Sequence, residues 1–296
     1  MPLTRSSIAA LLPWLSAIAS GVILAFTCAP WNATELVWIW AWPLLAVLWF
    51  ARSVRGSAKK GWWIGWTAGF AFFVTSNHWL WMVGKVAETF WAGLGACIFL
   101  NAYLACYFGL FGAFAATAGR WILTEPERSP KHDLFNQSFA VLRVAALNGA
   151  AWCGLEWIRG WLFTGFGWNG LGVALRDHLL LAQLADVIGL TGYSFILLFC
   201  NVIGFATVIR LGREFANRRR MRPHLDFAVG VALIIGLFIH GTFRLSHPIG
   251  ETVDLRARIL QLNIDLKDKW SDEIEVRQRV IYDYRDLTHR KTITKA

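Results

Sequence analysis

WAGLGACIFLNAYLACYFGLFGAFAATAG, residues 91–119, contains no Asp, Glu, Lys or Arg. It exceeds the about 20 apolar residues that an α-helix needs to cross a bilayer. The rest of the chain has the same character. Of its 296 residues 56% are hydrophobic and only 16% charged, where soluble domains carry about 25% charged residues. That composition excludes a soluble globule. Further apolar runs over residues 8–28, 36–50, 61–76, 139–158, 190–209 and 225–243 predict an all-α polytopic membrane bundle of about seven transmembrane helices. The run at 36–50 is short and holds Pro43, which makes its limits the least sharply drawn. The run at 8–28 follows Arg5 and ends on Cys28, but Phe26 and Thr27 do not suit a lipoprotein-type cleavage site, so it reads as a retained helix.

The formal net charge of +10 raises the question of a nucleic-acid partner. Arg210, Arg213, Arg218, Arg219, Arg220 and Arg222 contribute most of it, and they lie between two apolar runs. They read as a cytoplasmic loop, with no nucleic acid involved. Cys28, Cys97, Cys106, Cys153 and Cys200 all fall in apolar runs without paired or metal-like spacing, so they read as packing residues. The seven histidines show no metal-site spacing either, and no cofactor is implied.

Basic residues resist translocation, so the connections give an orientation. Arg5 precedes the first run, the connection 29–35 has no Lys or Arg, and Arg52, Arg55, Lys59 and Lys60 follow. Lys85 then stands alone, followed by Arg120, Arg128 and Lys131, then Arg159 and Arg176, then the arginine cluster. Rich and poor connections alternate. The N-terminus is therefore expected in the cytoplasm and the chain beyond Phe243 on the outer face. Trp31, Trp38, Trp40, Trp42, Trp79, Trp81, Trp91, Trp157, Trp161 and Trp168 would lie near that face, more than near the inner one. Aromatic belts are ordinary at both interfaces, and the asymmetry also fits handling of outer-leaflet lipid.

Polar groups within the spans have either a packing or a functional role. Gly61, Gly65 and Gly69 recur every four residues and predict close helix packing. Asn77, His78, Asn101, Asn148 and Asn201 read as interhelical hydrogen-bonders. Glu156 and Arg159 stand three apart on one helical face, where they can pair or meet a substrate. After them comes Thr164-Gly165-Phe166-Gly167-Trp168-Asn169-Gly170. The wider segment 164–189 places Leu175, Leu179, Leu180, Leu184 and Ile188 at helical spacing, as in an amphipathic helix lying along the outer membrane surface.

After the last apolar run the pattern changes. ARILQLNI at 257–264 alternates like a strand, and residues 271–289 read as a polar helix with Ile274, Val280, Ile281 and Leu287 as candidate buried positions. The chain thus divides into a transmembrane domain at 1–245 and the beginning of an α/β domain at 246–296.

Several stretches together resemble the apolipoprotein N-acyltransferases of Gram-negative bacteria: GFAFFVTSNHWLW at 69–81, AYLACYFGLF at 102–111, LEWIRGWLFTGFGW at 155–168, QLADVIGLTGYSF at 183–195 and LQLNIDLKDKW at 260–270. The resemblance implies a membrane bundle followed by a nitrilase-like α-β-β-α domain in the inner membrane of a bacterium. It implies transfer of an acyl chain from a phospholipid donor to the N-terminal amine of a diacylglyceryl lipoprotein acceptor, through a Cys thioester with a Glu base and a Lys at the oxyanion. None of those three residues matches a position here; Lys267, Lys269 and the five cysteines lie outside the family's triad motifs, so the chain reads as a fragment that is inactive alone. Trp270 matches a family position beside the active site. With it, Phe166, Trp168, Glu156 and Arg159 are the expected substrate-binding residues. Gly167 stands where the family usually has proline. A membrane scaffold or lipid-binding protein without the nitrilase-like part is the alternative, and a transporter is disfavoured because no broken pair of helices recurs in two halves.

Overall fold

The structure is a computed structural model that describes residues 5–82, 89–122, 130–218, 224–247, 259–262, 264, 268 and 272–289. It divides into two compact units, Met1–Leu80 with Gly95–Pro248, and Trp81–Leu94 with Ile249–Ala296.

The first unit is a helical bundle. Its elements are α1 (Arg5–Phe26), α2 (Trp42–Phe50), α3 (Ala58–Ser76), α4 (Phe90–Ala116, in this unit from Gly95), α5 (Pro130–Arg159), the one-turn α6 (Leu179–Ala182), α7 (Ala185–Ala216) and α8 (Leu225–Ser246). Four segments, Phe90–Ala116, Phe135–Arg159, Ala185–Ala216 and Leu225–Ser246, are long and apolar enough to cross a membrane among the described residues. The other three runs fold as helix but are shorter or less apolar. The run at 36–50 is a 3₁₀ turn over Thr34–Trp38 and then α2, with Pro43 in the first turn of α2. Proline disfavours helix in the residue before it and suits a helix start, so the run breaks where it does. At nine residues, α2 is only about 14 Å long. With the turn before it the apolar stretch runs from Thr34 to Phe50, and it is packed inside the bundle: Leu44, Leu45 and Leu48 are fully buried, as is Trp40 just before α2. Trp40 was expected near the membrane interface; its ring centroid lies 5.1 Å from that of Trp152 and 6.4 Å from that of Phe108, inside the bundle.

The glycine spacing on α3 sets a close contact with α4. A Cβ at Gly65 would lie 2.2 Å from the Phe108 carbonyl oxygen, and one at Gly61 would lie 2.5 Å from that of Gly112. Backbone meets backbone there, as small residues permit in membrane helices. The asparagines crosslink the bundle as their positions predict. Asn201 on α7 donates to the Val37 carbonyl at 2.8 Å and accepts from the Ala41 N–H at 3.3 Å, and Asn148 donates to the Gly119 carbonyl at 2.8 Å.

Helices α7 and α8 form a hairpin held by ion pairs at both ends. Arg210 pairs with Asp226 at one end and Arg244 with Asp186 at the other. Arg210 was expected in a solvated loop, yet only 8% of its side chain is exposed and Asp226 is wholly buried. The reason is Asp226 itself, one acidic residue in the first turn of an apolar helix.

Segment 164–189 is not one amphipathic helix. It comprises the end of a 3₁₀ turn at Leu162–Thr164, a second 3₁₀ turn at Leu171–Leu175, α6, and the first turn of α7 up to Gly189, where φ is 65°. Its glycines and positive-φ residues break the helix, and the pieces fold onto the bundle, burying Leu171, Leu175 and Leu181 while Leu179 stays exposed.

In the second unit, α9 (Ile274–His289) matches the helix predicted at 271–289. Its expected buried face is not buried: Ile274 and Ile281 are exposed, and Val280 and Leu287 are half-buried. Residues 259–262 and 264, the described part of the predicted strand, form no strand, so the sheet that would cover that face is missing among the described residues. Arg279 and Arg277 pair instead with Asp268 and Asp272 along the exposed helix.

Candidate functional site

Helix α5 ends at Arg159, and the chain then turns sharply through Gly160. Phe163, Thr164 and Gly165 follow with φ of 52°, 73° and 77°. A Cβ at Gly165 would sit 2.1 Å from the Gly160 carbonyl oxygen, so only glycine closes this turn. The two residues before it hold a backbone conformation that ordinary side chains resist, as happens where a loop is pinned from outside.

Three hydrogen bonds do the pinning. The Phe166 N–H donates to the Arg159 carbonyl at 2.8 Å. The Leu171 N–H donates to Glu156 Oε1, also at 2.8 Å. Asn169 Nδ2 donates to Asn77 Oδ1 at 3.1 Å, and Asn77 Nδ2 in turn donates to Asn101 Oδ1 at 3.2 Å. The loop is thereby tied to the ends of α5 and α3 and, through Asn101, to α4. Beyond it, the turn at Leu171–Leu175 is tied to the α1–α2 connection, where His178 Nε2 and Thr34 Oγ1 lie 2.8 Å apart and Arg176 hydrogen-bonds Asn32.

Glu156 and Arg159 do not pair. Among the described residues no ion pair joins them, because the tertiary N–H of Leu171 takes the carboxylate that the helical spacing offers to the arginine. Arg159 is only 3% exposed, and its guanidinium carbon lies 5.2 Å from the centroid of the Phe73 ring. Its Nε has no hydrogen-bond partner among the described residues. A cation over an aromatic face gains about 0.5–2 kcal/mol, far less than a buried charge costs. Leu24, Phe72, Tyr107, Phe108, Trp152, Leu155 and Asn169 complete the small cavity into which Glu156 and Arg159 project.

Outside that cavity runs an open groove of about 730 Å³, between the loop and the first turns of α7. Glu156, Arg159, Gly167 and Gly170 line it together with Trp157, Trp161, Thr191 and Ser194. Phe166 and Trp168 lie in the loop above, their rings roughly stacked with centroids 6.4 Å apart. Trp168 is 60% exposed and also meets Trp79, at 5.6 Å. Trp157 and Trp161 are exposed beside them. Four of the five expected site residues, Glu156, Arg159, Phe166 and Trp168, thus meet at one end of the bundle. The fifth, Trp270, lies outside the described residues, as do Asn263, Lys267 and Lys269. Asn169 was missed as a partner of Asn77; its place in a glycine-rich turn, where asparagine tolerates positive φ, was the available signal.

Apolar and aromatic walls beside a carboxylate suit an amphiphile, but no cysteine among the described residues of the first unit is placed as an activated nucleophile. All five cysteines are free. Cys97, Cys106, Cys153 and Cys200 lie within helices, and Cys28 is buried just past α1. Among the described residues no group of His, Cys, Asp and Glu is placed to hold a metal ion.

Residues 20–203 match the model of the family described as the apolipoprotein N-acyltransferase N-terminal domain. Curated relatives named apolipoprotein N-acyltransferase include one from Allorhizobium ampelinum, 30% identical over 87% of this chain and 45% of its own length. Another, from Rhodopseudomonas palustris, is 30% identical over 95% of this chain and 52% of its own. A third, from Geobacter metallireducens, is 29% identical over 91% and 47%. The chain spans about half the length of the curated relatives it matches.

Proposed function

Because the chain belongs to the apolipoprotein N-acyltransferase N-terminal domain family, we propose that it supplies the membrane part of an enzyme moving an acyl chain from a phospholipid to the N-terminal amine of a diacylglyceryl-cysteine lipoprotein. Residues 1–245 form the membrane domain and residues 246–296 begin a nitrilase-like domain in this reading. The catalytic Glu, Lys and Cys are supplied from outside these residues.

The membrane domain crosses the bacterial inner membrane seven times, with its N-terminus in the cytoplasm. Two features support this. Helices α3 and α4 pack antiparallel, as do α7 and α8, and Arg52, Arg55, Lys59, Lys60 and Arg120 gather at the end where α2 and α4 finish. The two ion pairs of the α7–α8 hairpin set the slab. From Asp226 to Arg244 the helix rises about 27 Å, close to the about 30 Å of hydrocarbon in a bilayer. The loop at 160–170 then faces outward, where the lipoprotein acceptor and outer-leaflet phospholipid are.

The observation that carries the reading is the pinned loop, with half-buried Phe166 and exposed Trp168 held over a groove that contains Glu156 and borders the unpaired Arg159. These four residues hold substrate in this reading, and Trp270, which matches a family position, is proposed as a further substrate-binding residue. The chain by itself, purified with a phospholipid donor and a diacylglyceryl-cysteine peptide, should form neither thioester nor product, since acyl transfer of this kind needs an activated thiolate beside a base. A chimera that continues it with the second half of the Allorhizobium relative should transfer acyl chains, and Trp168→Ala should lower that transfer at least tenfold with unchanged abundance in the membrane. A covalent acyl adduct on one of the five cysteines, lost when that residue becomes Ser, would overturn the division of labour; an abundant chimera that transfers nothing would overturn the function.

A further inference from the structure

Helix α3 begins at the end of the bundle away from the loop at 160–170, since its own far end carries the Asn77 that holds Asn169. Three pieces of chain meet at that beginning. The Gly56 N–H donates to the Ala116 carbonyl at 2.8 Å, which seats the connection between α2 and α3 on the end of α4, with Val54 buried beneath it. Arg120 lies against this turn: its Nη1 is 3.6 Å from where a Cβ on Gly56 would stand, and Gly56 has φ 75°. Ser57 caps α3 by accepting the Lys60 N–H at 3.3 Å. Arg52, Arg55, Lys59, Lys60 and Arg120 are thereby collected, Arg120 half-buried and the others exposed.

These segments hold no carboxylate to answer the charges. The sequence has no Asp or Glu between Glu35 and Glu88, or between Glu88 and Glu125. Among the described residues none of the five takes part in an ion pair. The α7–α8 connection differs, for there Arg210 meets Asp226 and His224 lies 3.8 Å from Glu214. Like charges gathered without acids repel one another, and α3 adds the positive end of its dipole at the same place. Phosphate groups would answer both.

Beyond Lys60, toward the middle of the membrane, α3 presents a ladder of aromatic rings. Trp62 and Trp66 stack with centroids 6.4 Å apart, and Trp66 and Phe70 with centroids 5.0 Å apart and planes 8° from parallel. Helix α4 fixes the ladder. A Cβ on Gly109 would meet the Trp62 indole at 2.8 Å, and Trp66 Nε1 donates to the Ala102 carbonyl at 3.1 Å. The three rings are half-buried, and Trp63 beside them is exposed. From Trp62 to Phe70 the helix rises about 12 Å, against about 15 Å for half of a bilayer's hydrocarbon.

We propose that the start of α3 binds a lipid of the cytoplasmic leaflet that carries two phosphate groups, of the cardiolipin type. The phosphates sit against Lys59, Lys60 and Arg120, and one acyl chain lies along Trp62, Trp66 and Phe70. Basic clusters at the cytoplasmic ends of membrane helices take such headgroups, and cations from three separate pieces of chain suit two phosphates better than one. The lipid is a fastening and not a substrate: it joins α3, the end of α4 and the connection after α2, and so stabilises the folded bundle. The assignment rests on the membrane orientation proposed above, and acyl transfer has no part in it.

The test uses the whole chain in detergent, with native mass spectrometry to read retained lipid. At equal phosphate, cardiolipin should be retained at least fivefold more than phosphatidylglycerol, and it alone should raise the melting temperature. Lys59→Gln with Lys60→Gln should cut cardiolipin retention at least fivefold and abolish that rise. Both side chains are exposed, so melting without added lipid should be unchanged. Arg120→Gln should cut retention at least threefold. Arg277→Gln with Arg285→Gln removes as much charge from α9 as the lysine pair does from α3, and should leave retention within twofold. Equal retention of the two lipids by the unaltered chain overturns the ligand. Retention unmoved by the lysine pair, or lowered as much by the α9 pair, overturns the site. Retention needs no catalysis, so an inactive chimera leaves this result independent.

Discussion

Two arginines are nearly excluded from water at opposite ends of the bundle, and they are treated differently. Arg210 meets Asp226 and also reaches the Ala206 carbonyl and the Thr207 hydroxyl. Arg159 meets the face of Phe73, and the nearby carboxylate of Glu156 is turned to a backbone N–H. The first arrangement is closed: two buried charges answer each other and fasten two helices. The second is open, with the two charges not joined in an ion pair beneath a loop whose Phe163 and Trp168 are exposed. A buried charge without its partner is costly unless something else uses it. The difference separates a structural clasp from a site.

The largest expected effect breaks the clasp. Asp226→Asn leaves Arg210 buried and uncompensated, and should lower stability by about 3–5 kcal/mol, read from reversible unfolding in detergent. Arg159→Met should do far less. It removes a desolvated charge and loses a cation–π contact, which oppose each other, so stability should change by no more than about 1 kcal/mol. The loop should remain pinned, because Arg159 holds Phe166 through its backbone carbonyl. Transfer by the chimera should fall all the same. Equal destabilisation by the two substitutions would mean that Arg159 is as firmly paired as Arg210.

The smallest effect is a pH dependence at the clasp. Burial pushes the His224 imidazole below the usual histidine range of 6.5, and the Arg210 charge adds to this against the opposing pull of Glu214 and Asp226. Folding thus favours the neutral ring, and the unfolded chain binds more protons as pH falls. The contribution is present above the unfolded pKa and is lost as pH drops through 6.5 toward the lower folded value. His224→Gln should flatten that loss, and a profile identical to the unaltered chain's would remove His224 from the clasp.

Much of the packing was legible because it follows from local pattern. Gly61, Gly65 and Gly69 mark one face at helical spacing whatever they meet, and Asn101, Asn148 and Asn201 in apolar runs must find partners. The breaks were less legible. Pro43 was visible, but that α2 becomes a core piece depends on the surrounding helices burying Leu44, Leu45, Val47, Leu48 and Trp49. The site was half legible. Glu156, Arg159, Phe166 and Trp168 were identifiable from their residues, yet the i, i+3 spacing favoured a pair that a tertiary hydrogen bond from Leu171 takes apart. Asp226 was not legible from the arginine run beside it, although one acid opening an apolar helix is the sign of a buried partner.

The central claim is that the pinned loop and the unpaired Arg159 lie at the outer face of the membrane while the Arg210–Asp226 clasp lies at the inner one. Reporter fusions test it directly. A fusion after Arg220 should report the cytoplasm, and fusions after Gly170 and Leu255 should report the outer side. The reverse at all three points would place the loop away from its proposed lipid and lipoprotein substrates and contradict the account.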